Sequence, residues 1–439
     1  MAPVSPAPRP SQGPPAGSPS GALGTAQRPE LAVHQGLTLA PGVPAEAVVD
    51  LDAVAGNVAA LRERTGNAEV MAVVKADAYG HGLVPSAMAA RAGGATWLGV
   101  AQLAEGLALR AAGDTGRLLS WLHVPGDRFA DAVAADIDLS VSALWSLDEI
   151  VAAAHAVGRT ARVHLKIDTG LSRNGVSRHE WADVVAATLR AEASGAVRFV
   201  GVWSHMIWAD APQHPSVLRQ VELLTEAIRT AERAGARLEV RHLANSAATL
   251  TTPSAHFDVV RPGLAVYGLS PVPDLGGPQA YGLRPAMTLH AQLALVKRVP
   301  AGSGVSYGHA YTTDRETVLG LVPVGYADGI PRAATNRGPV GLAGERYRIA
   351  GRVCMDQIVV DLGPDATARP GDRAVLFGDA TLGEPTAQDW AEAIDTISYE
   401  IVTRIGQRVP RRYVGAAALD VGALQVAAPT SGPRVDAGS

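Results

Sequence analysis

Four cationic side chains stand where short apolar runs give way to glycine-containing turns. Lys75 lies in Val74-Lys75-Ala76-Asp77-Ala78-Tyr79-Gly80. Lys166 and Arg173 lie in Lys166-Ile167-Asp168-Thr169-Gly170-Leu171-Ser172-Arg173-Asn174-Gly175, and Arg261 opens Arg261-Pro262-Gly263. Ser204-His205 and Ala244-Asn245-Ser246-Ala247 fall between them. A neutral lysine amine forms a Schiff base with a carbonyl compound or an aldehyde cofactor. Free N–H groups at a helix start, joined by the hydroxyl of Ser246, bind phosphate. Gly263 lets backbone amides approach a phosphate closely, while Arg261 faces the ligand. Each feature also has a plainer reading. Lys75 can be a solvated lysine, Asn245-Ser246 a helix N-cap, and Arg261-Pro262-Gly263 a strand terminator.

The elements around these residues decide how they combine. Short β-type runs cover 69–74, 96–100, 118–122, 137–141, 162–167, 198–204, 238–243 and 257–260. Ala/Leu/Glu/Arg-rich stretches with helical spacing separate them, among them 83–92, 103–112, 146–157, 178–193 and 216–234. Strands that alternate with helices predict a parallel sheet with crossover helices. Eight such units over about 240 residues fit a (β/α)8 TIM-type barrel, with an open doubly wound sheet as the alternative. Lys75, Lys166, His205, Asn245-Ser246 and Arg261 then all fall at the carboxyl ends of strands, where barrels of this kind carry their chemistry. A lysine after strand one and phosphate-type groups after strands seven and eight, on one rim, favour a phosphorylated aldehyde. That cofactor is pyridoxal 5'-phosphate.

Beyond residue 283 the texture changes. Runs at 287–299, 316–324, 347–353, 357–362 and 373–376 read as strands among Gly and Pro clusters, with a helical pattern at 386–394. This predicts a C-terminal, mostly β domain. The boundaries are a Pro/Ala/Gly-rich disordered tail at 1–44, the barrel at 45–283, the β domain at 284–424 and a flexible tail at 425–439. The first segment has neither the basic start nor the apolar core of a secretory signal.

Composition narrows the function class. The chain has 439 residues and a formal charge of −4, which gives no support to a nucleic-acid binder or a polybasic membrane-surface protein. No apolar run approaches the ~18 residues of a membrane span. The single cysteine, Cys354, excludes an internal disulfide and a multi-cysteine zinc site, and it reads as a small packed residue. A cytoplasmic location and no bound metal are the expectations.

The same residues carry a resemblance. From about residue 45 to 413 the chain resembles the alanine racemases, fold-type III pyridoxal-phosphate enzymes with a barrel and a β domain. The stretches are 73–82, 166–175, Ser204-His205, 244–247, 261–268, 305–307, 325–329 with Arg332, 354–357 and Tyr399-Glu400. Asp77 stands where Asn is common, and Met206-Ile207-Trp208 follows His205 instead of smaller residues. The resemblance implies that Lys75 holds the cofactor and that Tyr79, Asn245, Ser246, Gly263, Leu264 and Tyr399 bind its phosphate end. It places Arg261 at the pyridine nitrogen, His205 near the ring, and Arg173 at the phenolic oxygen and the substrate carboxylate. It makes Lys166 a candidate for N-carboxylation. Lys75 and Tyr307 become bases on opposite faces, with His205 coupled to the tyrosine. Tyr307, Met355 and Asp356 reach the site from a second subunit, and Tyr326 lines the entrance. The implied protein is a homodimer with shared active sites that interconverts L- and D-alanine for peptidoglycan. A serine or broad-specificity racemase of this fold, a non-catalytic pyridoxal-phosphate carrier and a barrel-type decarboxylase are the alternatives.

Overall fold

The computed structural model describes Leu39 and residues 42–416. The tails read at 1–44 and 425–439 fall outside the described residues, apart from Leu39 and residues 42–44. All eight β-type runs form barrel strands: Glu69–Val73, Trp97–Val100, Arg117–Ser120, Asp138–Val141, Ala161–Lys166, Val197–Trp203, Val240–His242 and Val259–Val260. They pair in parallel in chain order, and the first also pairs with the eighth. The ring closes between strands seven and eight through Asp258 N to Arg241 O at 3.0 Å and Arg261 N to Ala244 O at 2.8 Å.

The connecting helices form for ordinary reasons. The helix Pro215–Arg233 starts with Pro at its first turn, and His214 accepts from Ser216 N as its cap. Its buried positions Val217, Gln220, Leu224, Ala227, Ile228 and Ala231 recur at helical spacing and lie on one stripe. The barrel interior is less ordinary. It contains Trp97, His164, Trp203 and His242, all almost fully buried. Glycines make the room: a Cβ on Gly99 would stand 2.6 Å from the Trp121 ring, and one on Gly201 would stand 2.9 Å from Nδ1 of His164.

The C-terminal part is mostly strand. A six-stranded sheet runs Glu345–Arg348, Pro339–Leu342, Arg373–Phe377, Met287–Gln292, Ala45–Asp50, Arg411–Val414. A three-stranded sheet joins Leu295–Val299, Thr317–Val322 and Ile358–Asp361. Ala45–Asp50 corrects the barrel boundary drawn at residue 45. It pairs antiparallel with Met287–Gln292 and parallel with Arg411–Val414. All six of its residues are buried, and its one acidic interior group, Glu46, binds Arg412 Nε at 3.0 Å and His290 Nε2 at 3.1 Å. Partners more than 200 residues away leave no local pattern to read. The run read as one strand at 287–299 is two strands in different sheets, broken at Leu293-Ala294.

Candidate active site

A cavity of about 590 Å³ opens at the carboxyl ends of the barrel strands. Lys75, Tyr79, Lys166, Arg173, His205, Asn245, Ser246, Arg261, Gly263 and Tyr399 all line it. Lys75 and Tyr79 are placed by a turn that the sequence does not announce. Ala76, Asp77, Ala78 and Tyr79 all take left-handed backbone, with φ from +52° to +55°. Such conformations cost about 1–2 kcal/mol for each non-glycine residue, so the surroundings must hold them. Glu105 accepts from Ala76 N at 2.6 Å, and Asp77 Oδ1 accepts from Leu83 N at 2.7 Å. The other Glu105 oxygen accepts from Ala101 N and Gln102 N, each at 3.0 Å. One carboxylate thus ties the turn after strand one to the turn after strand two.

One end of the cavity is built for an oxyanion. Asn245 caps the short helix Ser246–Thr251, accepting from Ala248 N. Ser246 Oγ accepts from Gly263 N at 2.8 Å. A Cβ on Gly263 would stand 2.2 Å from the Tyr79 hydroxyl, so the hydroxyl, the amide and the serine converge. The ring of Tyr79 lies 5.1 Å from Tyr267 and 6.1 Å from Tyr399. Burial raises the Tyr79 phenol and pushes Tyr399 up to about 12, so both remain neutral donors. Hydroxyls and amides that converge around space only a glycine leaves open fit a phosphate monoester.

The remaining wall is cationic. Arg261 is buried and donates to Ser204 O at 2.7 Å and Leu243 O at 3.1 Å. Burial pulls its pKa down to about 9, which leaves it charged at neutral pH. Lys166 sits with Nζ 4.4 Å from the centre of the Trp203 ring. Burial first, then Arg261 and Arg173, pull its amine down to about 7. Lys75 is lowered by burial and by Arg173, against an opposing pull from Glu105. His205 is held well below the ordinary imidazole range by burial and by the cations around it, so it is neutral.

Five residues singled out from sequence do not line this cavity. Leu264 is fully buried in the short turn Leu264–Tyr267. Tyr307 is 70% exposed, and Tyr326, Met355 and Asp356 are exposed as well. Ser306 before Tyr307 and His309 after it are non-glycine residues at positive φ, +63° and +45°. Cys354 is half-buried, with Sγ 3.4 Å from Ser306 Oγ. Trp121, Trp203, Asn174 and Glu105 went unread in the sequence. Trp121, Trp203 and Asn174 line the cavity, and Glu105 braces its lysine turn. No helix among the described residues is long and apolar enough to cross a membrane.

A barrel with a lysine, a cradle of neutral donors and buried cations around one cavity, and with a β domain attached, defines a two-domain barrel enzyme. The family models described as "Alanine racemase, N-terminal domain" and "Alanine racemase, C-terminal domain" match residues 49–271 and 286–413. The chain is 61% identical over 368 residues to the alanine racemase of Frankia casuarinae, covering 84% of this chain and 96% of that one. It is 59% identical over 372 residues to that of Thermobifida fusca, covering 85% and 98%. The crystal structure of alanine racemase from D-cycloserine-producing Streptomyces lavendulae superposes with a TM-score of 0.85 at 58% identity, over 86% of this chain and 98% of that one. The chain belongs to the alanine racemase family.

Proposed function

We propose that the protein interconverts L- and D-alanine, with pyridoxal 5'-phosphate held in the barrel cavity and two copies of the chain completing each site. The observation that carries this reading is the convergence of Lys75 with the Tyr79–Ser246–Gly263 cradle and Arg261 around one cavity. When bound, pyridoxal phosphate supplies an aldehyde for amines and a ring that draws electron density from the substrate α-carbon. The chain supplies the rest. Tyr79, Ser246, Gly263 and the Leu264 backbone bind the phosphate with neutral donors, and Tyr399 closes over them. Lys75, its ammonium form disfavoured by burial and Arg173, would anchor the cofactor's aldehyde, and its amine, free once a substrate amine takes that place, would carry a proton on one face. Arg261 keeps a positive charge on the cavity wall and, beside the ring nitrogen, would disfavour a proton there. A less electron-poor ring limits side reactions. Arg173 takes the substrate carboxylate. Lys166, with an amine pKa of about 7 among arginines, suits N-carboxylation, which places a negative charge between Arg173 and Arg261.

Racemisation needs a second proton carrier on the opposite face. Tyr307 fits that role only from another copy of the chain, because in its own chain it is exposed and outside the cavity. Met355, Asp356 and Tyr326 share its exposure and complete the substrate end from the same side. Borohydride treatment followed by peptide mapping tests the cofactor and Lys75 together. Racemisation assays on alanine, serine and other amino acids test the substrate. Label on Lys75 and a preference for alanine are expected. A protein that binds the cofactor without racemising any amino acid would instead support the carrier reading. We place the enzyme in the cytoplasm, supplying D-alanine for peptidoglycan.

A further inference from the structure

The floor of the cavity continues into a line of buried polar groups through the barrel. Arg261 donates to Nδ1 of His242 at 3.0 Å. Nε2 of His242 stands 3.1 Å from Nδ1 of His164. Nε2 of His164 stands 3.0 Å from Oδ2 of Asp138. His242, His164 and Asp138 are 0% exposed. Asp138 opens barrel strand four, so the line runs from the carboxyl rim to the amino rim. There Arg117 and Arg162 bind Asp138 at 2.7 and 2.6 Å. The Trp203 ring stacks on His242 at 5.4 Å, and Trp97 meets His164 edge-on at 5.6 Å.

The donor and acceptor inventory leaves one arrangement of protons. A guanidinium only donates, so Nδ1 of His242 accepts and its proton sits on Nε2. That proton goes to Nδ1 of His164, whose own proton therefore sits on Nε2 and goes to Asp138. A carboxylate only accepts, so the two ends impose the same direction. A second proton on either imidazole would set two donors face to face in a closed interior.

We propose that His164 and Asp138 are positioning residues: with His242 they form a one-directional hydrogen-bond relay that anchors Arg261 to the charged groups at the opposite mouth of the barrel. Carbonyls of Ser204 and Leu243 fix one guanidinium nitrogen, and the relay fixes the other. The planar group then has no freedom to turn away from the cavity. The relay's effect on chemistry rests on the role given to Arg261 above; its existence does not.

Two measurements on the full-length holoenzyme separate these parts. In protein labelled with ¹⁵N-histidine, signals are assigned through their loss in His164→Gln and His242→Gln. Both rings should carry their proton on Nε2, and His242, which burial and Arg261 hold well below the ordinary imidazole range, should not titrate across roughly pH 5 to 8. A proton on Nδ1 of either ring, or titration of His242 in that window, overturns the relay whatever the enzyme's activity. The second measurement uses His164→Phe, which keeps ring volume and cuts both links. Its kcat should fall by about 10- to 100-fold with KM little changed, the scale of a slight misplacement. Pyruvate formed per alanine racemised should rise. His164→Gln can accept from His242 and donate to Asp138, so it should recover most of the loss. An unchanged kcat and pyruvate ratio in His164→Phe would refute the positioning role. The tautomer result stands if the Phe variant does not fold. Correct tautomers in a protein without racemase activity would overturn the proposed function and leave the relay intact.

Discussion

The phenolic oxygen of Tyr79 occupies the space that a side chain on Gly263 would need: a Cβ there would stand 2.2 Å from it. Tyr79 cannot retreat easily, because its backbone sits in a left-handed turn and its ring packs on Tyr267. The glycine is therefore required by what faces it, not by its own φ, which is −110°.

Gly263→Ala should push the Tyr79 hydroxyl off the cradle. Overpacking of a closed site costs about 1–3 kcal/mol, or roughly 5- to 150-fold in affinity at 1.4 kcal/mol per decade. Titration of apoprotein with pyridoxal phosphate should show that weakening. Pyridoxal, which lacks the phosphate, should bind with nearly unchanged affinity. An equal loss for both ligands would place the phosphate elsewhere.

Glu105 is the brace of the lysine turn. In Glu105→Gln one oxygen can still accept, but the amide must face either Ala76 N–H or the Ala101 and Gln102 pair. Two donors then oppose each other, and the turn should lose about 1–3 kcal/mol of support. The expected signs are a lower thermal midpoint for the apoprotein and slower borohydride-trapped labelling at Lys75. A variant that matches the parent on both counts would show that the left-handed run holds itself.

Lys166 ties stability to pH. Its folded pKa of about 7 lies below the ordinary 10.5, so between those values the unfolded chain binds more protons. Stability should therefore rise with pH across that window, and the cost of burying the charged amine is fully present below about 7. Lys166→Met, in buffer stripped of carbon dioxide, should flatten the slope of unfolding free energy against pH between roughly 7 and 10. Identical slopes in parent and variant would mean that the amine is not desolvated.

How much of this was legible in sequence depended on the range of the interaction. The eight barrel runs are short, apolar and separated by helical pattern, so each announces itself locally. The strands Ala45–Asp50 and Arg411–Val414 pair with each other from opposite ends of the chain, and neither local texture says so. The left-handed turn at 76–79 carries no glycine to flag it; Glu105 and Asp77 hold it through contacts 29 and 6 residues away. Lys75, Ser246, Gly263 and Arg261 were readable because strand order on a barrel turns spacing into convergence. His164 and His242 were not, because a polar residue inside a strand reads as outward-facing until the closed barrel shows it pointing inward. The fold does not supply a role for Tyr307 within one chain, and that role came only from the resemblance.

Tyr307 offers the sharpest test of the two-copy site. Tyr307→Phe keeps the ring and removes the hydroxyl, and the residue is 70% exposed in its own chain, so folding and cofactor content should barely change. Loss of a positioned acid/base group costs about 10²–10⁴-fold in rate. The loss should have a direction. Lys75, in the barrel, should still exchange the α-hydrogen of D-alanine with solvent deuterium, while exchange from L-alanine and net racemisation should nearly vanish. Mixed dimers then locate the hydroxyl. Pairing a Lys75→Ala chain with a Tyr307→Phe chain leaves one site with its lysine and a tyrosine from the other copy. Activity should return on mixing, because each mixed dimer should have half the activity of the parent dimer. Mixed dimers that form and stay inactive would put both bases in one chain, against the exposure of Tyr307 and its absence from the cavity lining.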